Sequence, residues 1–388
     1  MSNDWQDTIA YAEAFRRQLH AKPELSWQEF NTAAAIRTQL DEFHIPWREC
    51  ASTGTVAVIN PDGQTPAIAL RGDIDALPIT EQTGKAWQST HEGCMHACGH
   101  DGHTATLLAA ARWLKKHEHE LQRKIVLLFQ PAEEGGHGAR EMIADGALDG
   151  VGEIYGWHNW PALPYGTMAC PDDLVMCGNG TFKITLTGRG GHASQPEACA
   201  DPLLAASAIH IALQQIASRR IAPQKAAVIS VTSIHGGEAL TVIPQQAEIG
   251  GSIRVPDDET REQINQLISD ISIHTAGAYG VECDVEHFSR YSATINHPPQ
   301  AAHARAMWQE LYGNDALLHG QSLPIMASED FSYYLKERPG AFALIGSNDG
   351  HGKGHDLPCH SPEYDFNDRL IGEVCRWFCR LTGMKTPP

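Results

Sequence analysis

Short apolar runs alternate with helical patterns through the first 160 residues of this chain. The apolar runs predict strands at 56–59, 68–70, 124–129 and 153–157, and the periodic stretches predict helices at 101–117 and 139–144. Such alternation of strands and helices is typical of α/β domains. We therefore expect an α/β fold with polar segments just past its strand ends, which is where open α/β sheets bind their ligands.

The pattern changes near residue 180 and then returns to the earlier one. The middle part predicts, in order, a strand at 181–187, a helix at 202–218, strands at 226–234 and 247–254, a helix at 258–276 and a strand at 281–288. This βαββαβ order suits a four-stranded antiparallel sheet with two helices on one face. The α/β pattern resumes with a helix at 300–311, a strand at 341–345 and a helix from 368. We expect one domain made of 1–179 and 293–388, with 180–292 inserted into it.

Length and charge agree with two domains and exclude some partners. The chain has 388 residues, whereas single hydrophobic cores stop growing at about 250–300 residues. Its 29 Lys and Arg against 47 Asp and Glu give a net charge of −18. Because this charge repels phosphate backbones and anionic membrane surfaces, we expect neither nucleic acid nor membrane as a partner.

The N-terminal segment, the apolar runs and the cysteines bear on the cellular location of the protein. Residues 1–20 form an amphipathic helical pattern without the basic and apolar regions of an export signal. No apolar run approaches the roughly 18 residues of a membrane span. The ten cysteines show no dense, regular spacing, which favours reduced thiols. We expect a cytoplasmic location.

The segment MHACGHDGHTA concentrates metal-ligating residue types directly before a predicted helix. Cys98 and His100 form a Cys-x-His pair, although ten cysteines and 21 histidines would produce such pairs by chance as well. Asp101 can cap the helix, and the helix N-terminus would stabilise a thiolate at Cys98. We expect His96 and His103 to pack or to orient ligands rather than to bind metal.

Further candidates follow the neighbouring strands. Glu133 and Glu134 are expected to end a strand and to project to opposite sides, one toward a metal and the other toward an activated water. An acidic turn explains the same pair. His158 is a ligand or a core histidine. Asp73 and Asp75 share a face and can orient ligand histidines, or they belong to a turn.

Seven motifs in order resemble one enzyme branch. They are RGDIDALPI, MHACGHDGHTA, FQPAEEGG, HNWP, GRGGHASQPE, SEDFSYY and HSPEYDFND. Together they resemble the aminoacylase, hippurate hydrolase and auxin-conjugate hydrolase branch of the dinuclear metallopeptidase-like amidohydrolases, from the first helix nearly to the C-terminus. The resemblance implies a mixed-sheet α/β/α metallohydrolase domain with an inserted ferredoxin-like dimerisation domain.

The resemblance also implies a metal centre with a general base. Its ligands would be Cys98, His100, Glu134, His158 and His360. They would hold two divalent ions per subunit, Mn²⁺ or Zn²⁺, with Ni²⁺ or Co²⁺ as further options. Glu133 matches the residue that takes a proton from the attacking water and gives it to the leaving amine.

The inserted domain carries further matches. His192 corresponds to a histidine that stabilises the oxyanion, usually in the partner subunit of a homodimer, and Arg254 to an arginine that pairs with the substrate carboxylate. Thr241 stands where the branch usually has Asn, which puts one substrate contact in doubt. Glu329 and Asp330 resemble a motif that forms the wall of the substrate pocket in this branch. Considered alone, each of these residues also fits a surface loop, a strand end or a helix start.

The motifs therefore predict hydrolysis of the amide bond of an N-acyl amino acid, most simply an N-acetyl one. A dipeptidase or carboxypeptidase would use the same residues, with a pocket for a free α-amino group. A binding module without catalysis would have lost the base or a ligand. Cys359 stands at a position where the branch usually has an apolar residue. The His-rich segment 351–356 allows a third metal site.

Overall fold

The computed structural model describes residues 2–319 and 324–388, which fall into two compact units. The larger unit comprises 2–175, 295–319 and 330–388, and the smaller unit comprises 176–294 and 324–329. The expected division of the chain at 179/180 and 292/293 into a catalytic and a dimerisation domain stays a prediction.

A seven-stranded mixed sheet forms the centre of the larger unit, in the order β1-β2-β4-β3-β5-β15-β6. Its strands are β1 (Trp47–Cys50), β2 (Gly54–Ile59), β3 (Gln64–Asp73), β4 (Arg123–Gln130), β5 (Val151–Pro164), β6 (Met168–Ala169) and β15 (Gly340–Asn348). Strands β4, β3, β5 and β15 run parallel, while β1, β2 and β6 pair antiparallel. This arrangement confirms the expected mixed α/β fold.

Helices accompany this sheet along the chain. They are α1 (Ser2–His20), α2 (Phe30–Glu42), α3 (His100–Lys116), α4 (Gly138–Ala144), α7 (Pro298–Tyr312), α8 (Ser332–Glu337) and α9 (Arg369–Leu381). Helix α3 packs against α1, α9 and β3, and its apolar side chains belong to the main hydrophobic core. Nearly all of α3 is buried, so its first turn has a fixed position relative to the sheet.

The parallel strands bring the chemically interesting segments to one edge. Because β3, β4 and β5 are parallel, their carboxyl ends meet at the same side of the sheet. Asp73 ends β3, and Glu133 follows the end of β4 by three residues. The expectation that β5 ends at His158 was wrong, since this strand continues to Pro164 and pairs along this length with β15.

The smaller unit has the expected antiparallel topology. Its four-stranded sheet has the order β10-β12-β8-β13, with strands β8 (Gly178–Thr187), β10 (Val228–His235), β12 (Gln246–Val255) and β13 (Glu282–Ser289). Helices α5 (Pro202–Leu213) and α6 (Asp258–Ala278) pack on each other and on the sheet around a separate core. Asp201 and Asp257 cap these helices by accepting backbone N–H groups of their first turns.

Short strands complete the architecture. Strand β9 (Gly191–His192) pairs with β11 (Val242–Ile243), and β7 (Leu174–Met176) pairs with β14 (Thr294–Ile295). Helix α5 ends at Leu213 instead of 218, and a π-helical turn at Ile216–Arg220 follows it. None of the helices within the described residues is long and apolar enough to cross a membrane.

Candidate metal centre

The loop before α3 brings Cys98 and His100 to the carboxyl edge of the sheet. Gly99 is the N-cap of this helix with a φ of +96°, a conformation that disfavours side-chain-bearing residues. Cys98 Sγ lies 3.2 Å from Nε2 of His158, which β5 supplies. The expected cap by Asp101 was wrong, because this carboxylate instead contacts His20 and Arg16.

Glu133 and Glu134 lie in a turn rather than at the end of an extended strand, so the expected alternation of their side chains was wrong. The turn is held by Asp75, whose two carboxylate oxygens accept the N–H groups of Glu133 and Glu134 at 3.1 and 3.0 Å. Ser26 Oγ also donates to Asp75 at 2.7 Å. Both glutamates consequently lie close to His100.

His100 has a defined ring orientation. Its Nδ1 lies 3.0 Å from the backbone oxygen and 3.2 Å from Oδ1 of Asp75, so Nε2 faces the cluster, 3.9 Å from Glu134 Oε1. Burial opposes the imidazolium form, but Asp73, Asp75 and Glu134 outweigh it and raise the pKa of His100 to about 10. The carboxylates therefore create a strong demand for positive charge at this ring.

His360 completes the cluster from the C-terminal part of the larger unit. Its backbone N–H donates to Ala97 O at 2.8 Å, which ties this loop to the segment before α3. Its Nε2 lies 3.3 Å from Glu134 Oε1, and its side chain is 51% exposed while that of Glu134 is 11% exposed. The cluster is thus open to solvent on the side of His360.

All five predicted ligands converge. Three sets of ligand atoms each lie within 4.8 Å of one another: Cys98 with His100 and His158, Cys98 with Glu134 and His360, and His100 with Glu133 and Glu134. Within the described residues, buried His100 Nε2 and Glu134 Oε1 have no hydrogen-bond partner. Two buried polar atoms that face each other without hydrogen bonds fit a bound cation.

The protonation of Cys98 and His158 also fits a bound cation. A hydrogen bond with Cys359, burial and the charges of Glu134 and Glu133 raise the pKa of the Cys98 thiol well above its usual value. These groups act against the stabilisation of the thiolate that we expect from the helix N-terminus, and that expectation stays a prediction. Burial and the charges of His103 and His100 lower the pKa of His158, which keeps it neutral. The thiolate needs a cation, and the neutral imidazole can bind one.

Asp73 lies within hydrogen-bond distance of His103, which is not one of the predicted ligand histidines. Its Oδ1 lies 2.6 Å from His103 Nδ1, whereas its Oδ2 accepts from Arg71 at 2.6 Å and lies 3.5 Å from His100 Nε2. Arg71 is fully buried and also donates to Asp330 at 3.1 Å. Asp75 contacts His100 as expected, and His103 is buried and contacts Asp73 and Asn159.

The smaller unit carries the remaining predicted residues. His192 is exposed on β9, and its Nδ1 accepts from the N–H of Ser194 at 3.1 Å and lies 2.7 Å from Ser194 Oγ. Thr241 precedes β11 and accepts the N–H of Ala193, so it lies beside His192 on the same short ribbon. Sequence reasoning singled out both residues without indicating that they are neighbours.

Arg254 is half-buried, whereas Glu329 is almost completely buried. Arg254 lies near the end of β12, and its guanidinium donates to Met326 O at 3.0 Å and to Ser252 Oγ at 2.7 Å. Glu329 is 1% exposed, and its backbone oxygen accepts from Thr294 Oγ1 at 3.4 Å.

Some residues of the centre escaped the sequence analysis, although their motifs contain them. Asn159 and Tyr364 are fully buried and hydrogen-bonded to each other at 2.7 Å. Cys359 Sγ lies 3.8 Å from Cys98 O, so this replacement lies against the ligand loop. In the His-rich segment, His355 contacts Asp349 at 3.2 Å, and no three-donor cluster of the described residues includes it.

A mixed sheet with these donors at its carboxyl edge is the arrangement of a metal-dependent hydrolase. The structure resembles that of a Bacillus subtilis protein, YXEP, described as a dinuclear metal-binding peptidase from the M20 family. The TM-score is 0.84 at 32% identity, and the match covers 97% of this chain and 98% of that chain.

Residues 69–382 match Peptidase family M20/M25/M40, and the chain belongs to this family. It is 41% identical to the N-acetyl-L-cysteine deacetylase of Bacillus subtilis (strain 168), covering 92% of this chain and 83% of the relative. It is 35% identical to the hippurate hydrolase of Campylobacter jejuni, covering 95% of each. It is also 35% identical to the IAA-amino acid hydrolase ILR1-like 5 of Arabidopsis thaliana, covering 94% of this chain and 84% of that one. The chain is an amide-bond hydrolase of this family.

Proposed function

We propose that this chain is a two-metal amidohydrolase that releases the amino acid and the carboxylic acid from an N-acyl amino acid. The observation that carries the proposal is the convergence of all five predicted ligands beside Glu133. The ligands are Cys98, His100, Glu134, His158 and His360. Two divalent ions held there would supply a Lewis acid for the amide carbonyl and acidify a bound water.

Glu133 is the general base in this proposal. It is 6% exposed, and its backbone N–H is fixed by Asp75 at 3.1 Å. Its Oε1 also lies 3.4 Å from the N–H of Asp330. A carboxylate held in this way can take the proton of the attacking water and deliver it to the leaving amine.

The substrate class follows from the relatives. An N-acetyl-L-cysteine deacetylase, a hippurate hydrolase and IAA-amino acid hydrolases, by their names, differ in acyl group but share an amino acid on the amine side. We infer that this chain also takes N-acyl amino acids, with N-acetyl compounds as the first candidates. Arg254 would pair with the substrate carboxylate, since its planar fork of donors suits that group.

The smaller unit would serve as the dimerisation domain of a homodimer. Apolar side chains are exposed on its helix α5, where Leu204 is 55% and Ile211 71% exposed, and on edge strand β10, where Val228 is 37% and Ile234 42% exposed. Exposed apolar surface of this kind favours association. His192, with Thr241 beside it, would reach the active site of the partner subunit and stabilise the oxyanion, and Glu329 would line the pocket.

Metal and location complete the proposal. One thiolate, three imidazoles and one carboxylate suit Zn²⁺, and Mn²⁺, Ni²⁺ or Co²⁺ can also occupy such a mixed set. The cysteines are all free, and we place the enzyme in the cytoplasm, where such thiols stay reduced.

A substrate panel tests the proposal. Amine release would be followed for N-acetyl and N-benzoyl amino acids and for the corresponding dipeptides, with and without added Mn²⁺ or Zn²⁺. We expect metal-dependent release from an N-acyl class and much slower release from dipeptides. Preferred cleavage of dipeptides would instead establish a dipeptidase, and bound metal without release from any compound would refute the proposed substrate class.

A further inference from the structure

We propose that Asn159 is a positioning residue that connects three of the four chain segments from which the metal ligands come. The inference rests on the proposed function only in taking the cluster as a metal site, and it does not depend on the substrate. Asn159 is fully buried in β5, one residue after His158.

The side-chain amide of Asn159 joins α3 to the C-terminal loop. Its Oδ1 lies 2.7 Å from Nε2 of His103, which is three residues after His100 in the first turn of α3. Its Nδ2 donates to the Tyr364 hydroxyl at 2.7 Å, and Tyr364 follows His360 by four residues. A single amide thereby fixes the distance between two segments that carry ligands.

The backbone of Asn159 orients the third segment. Its carbonyl oxygen lies 2.6 Å from Nδ1 of His158. A carbonyl oxygen can only accept, so Nδ1 of His158 must carry the proton and Nε2 is left with its lone pair. This Nε2 faces Cys98 Sγ at 3.2 Å. The tautomer of this ligand is thus set by the same residue.

The loop that carries Cys98 packs directly on the amide. A Cβ at Gly99 would lie 2.4 Å from Asn159 Oδ1 and 2.8 Å from the Tyr364 hydroxyl, so only glycine allows this approach. The Asn159 side chain also lies 3.7 Å from Cys359 Sγ, beside His360. Movement of the amide would therefore shift the loops of Cys98 and His360 together, since buried contacts of this density transmit displacements.

The amide has a partner on each side that other side chains of similar size do not satisfy. Leucine has a similar volume but would remove the side-chain partner of His103 Nε2 and of the Tyr364 hydroxyl, which is unfavourable. Near His103 Nε2 only the backbone N–H of residue 159 would remain, at 3.4 Å. Aspartate would place a second carboxylate near His103, whose other nitrogen already contacts Asp73 at 2.6 Å. Both replacements should alter the geometry of the ligands rather than only the stability of the fold.

Metal affinity, measured without any substrate, tests the inference. Metal-free wild-type protein and Asn159→Leu would be titrated with Zn²⁺ against a chromogenic chelator, and unfolding of both metal-free proteins would be followed by denaturant. Loss of an outer contact typically weakens metal binding by about 10- to 100-fold. We expect a loss in that range for at least one of the two ions.

Asn296 provides the matched control. It is 3% exposed and equally well hydrogen-bonded, accepting from Phe342 N at 2.7 Å and donating to Phe342 O and Pro171 O at 3.0 Å. Asn296→Leu should lose stability but bind Zn²⁺ like the wild type. Wild-type affinity in Asn159→Leu, or an equal loss of affinity in Asn296→Leu, would overturn the inference.

A milder variant decides the matter if Asn159→Leu does not fold. Tyr364→Phe removes only the hydroxyl that Asn159 contacts. We expect it to weaken Zn²⁺ binding, and wild-type affinity would overturn the inference. Because these titrations need no turnover, a wild-type enzyme that binds Zn²⁺ but cleaves no N-acyl amino acid would refute the proposed function and leave this inference intact.

Discussion

Cys98 combines a buried thiol with neighbouring carboxylates, which makes its role testable by a single substitution. The protein groups around it oppose ionisation, so the thiolate should exist only with a cation beside it. We expect Cys98→Ala to lose bound metal and turnover together, as measured by mass spectrometry of metals and by amine release.

Cys375→Ala is the matched control for this substitution. Cys375 is a fully buried cysteine of α9 and is absent from every three-donor cluster of the described residues. We expect this variant to keep its metal and its activity. An inactive Cys98→Ala protein that retains both ions would show that the thiolate is not a ligand.

The resemblance of the ordered motifs to one enzyme branch implied the five ligand candidates and the glutamate beside them, whereas each residue considered alone left its role open. The structure adds how they are held, and this could not be read from the sequence. Asp75 fixes both His100 and the glutamate turn through contacts 25 to 59 residues away along the chain. Arg71 contacts Asp330 across 259 residues. Such partners depend on how the chain folds back on itself, which local patterns do not encode.

At the scale of elements, α1 is tied to the start of α3 and to the C-terminal segment by a buried arginine. Arg16 is fully buried, and its guanidinium lies 3.3 Å from Asp101, 3.4 Å from Asp365 and 2.8 Å from Asp368. Arg16→Met would leave these carboxylates without their common partner. Because uncompensated buried charge is costly, we expect the free energy of unfolding to fall by about 3–5 kcal/mol in denaturant titrations.

The neighbouring Arg17 offers the control. It contacts Asp368 at 2.7 Å, but its side chain is 42% exposed. Surface ion pairs contribute about 0–1 kcal/mol, so Arg17→Met should change the stability little. Equal losses for the two variants would argue against the buried network as the connection between these helices.

His20 makes the stability of the same network depend on pH. Burial opposes its charge, but Asp101 and Glu81 outweigh burial and raise its pKa from the usual 6.5 to about 9. A raised pKa means that the folded state holds the proton more tightly, so this contribution is complete below about 6.5 and is lost as the pH rises through about 9. We expect wild-type protein to lose more stability between these values than His20→Gln in denaturant titrations, and parallel losses would contradict this.

Periodicity predicted the elements better than their arrangement. Several strands and helices lie close to the predicted ranges because their apolar residues repeat with clear periods: β2, β4, β8, β10, β12, β13, β15, α3, α6 and α9. The two-residue strands, such as β9 and β11, are too short to produce a pattern. The order of strands in the seven-stranded sheet is set by long-range pairing, and β5 extends past His158 only because β15 lies beside it.

At the scale of the whole molecule, the proposed homodimer predicts that two inactive proteins can complement each other. Glu133→Gln removes the proposed base from the larger unit, and His192→Ala removes the proposed oxyanion contact from the smaller unit. If His192 serves the partner subunit, a mixed dimer contains one site in which both residues are intact. We expect mixing after subunit exchange to restore part of the turnover. Continued inactivity of verified mixed dimers, or full activity of a strictly monomeric wild-type protein, would contradict the cross-subunit role.

The most direct test measures bound metal and turnover together in the wild-type protein and in Glu133→Gln. The five proposed ligands stay in place in this variant, and the amide keeps nearly the size of the carboxylate but cannot accept the proton. We predict two ions per chain in both proteins, with turnover lowered by about 100- to 10,000-fold in the variant. Wild-type turnover in Glu133→Gln, or a wild-type protein that binds no metal, would contradict a two-metal centre with Glu133 as its base.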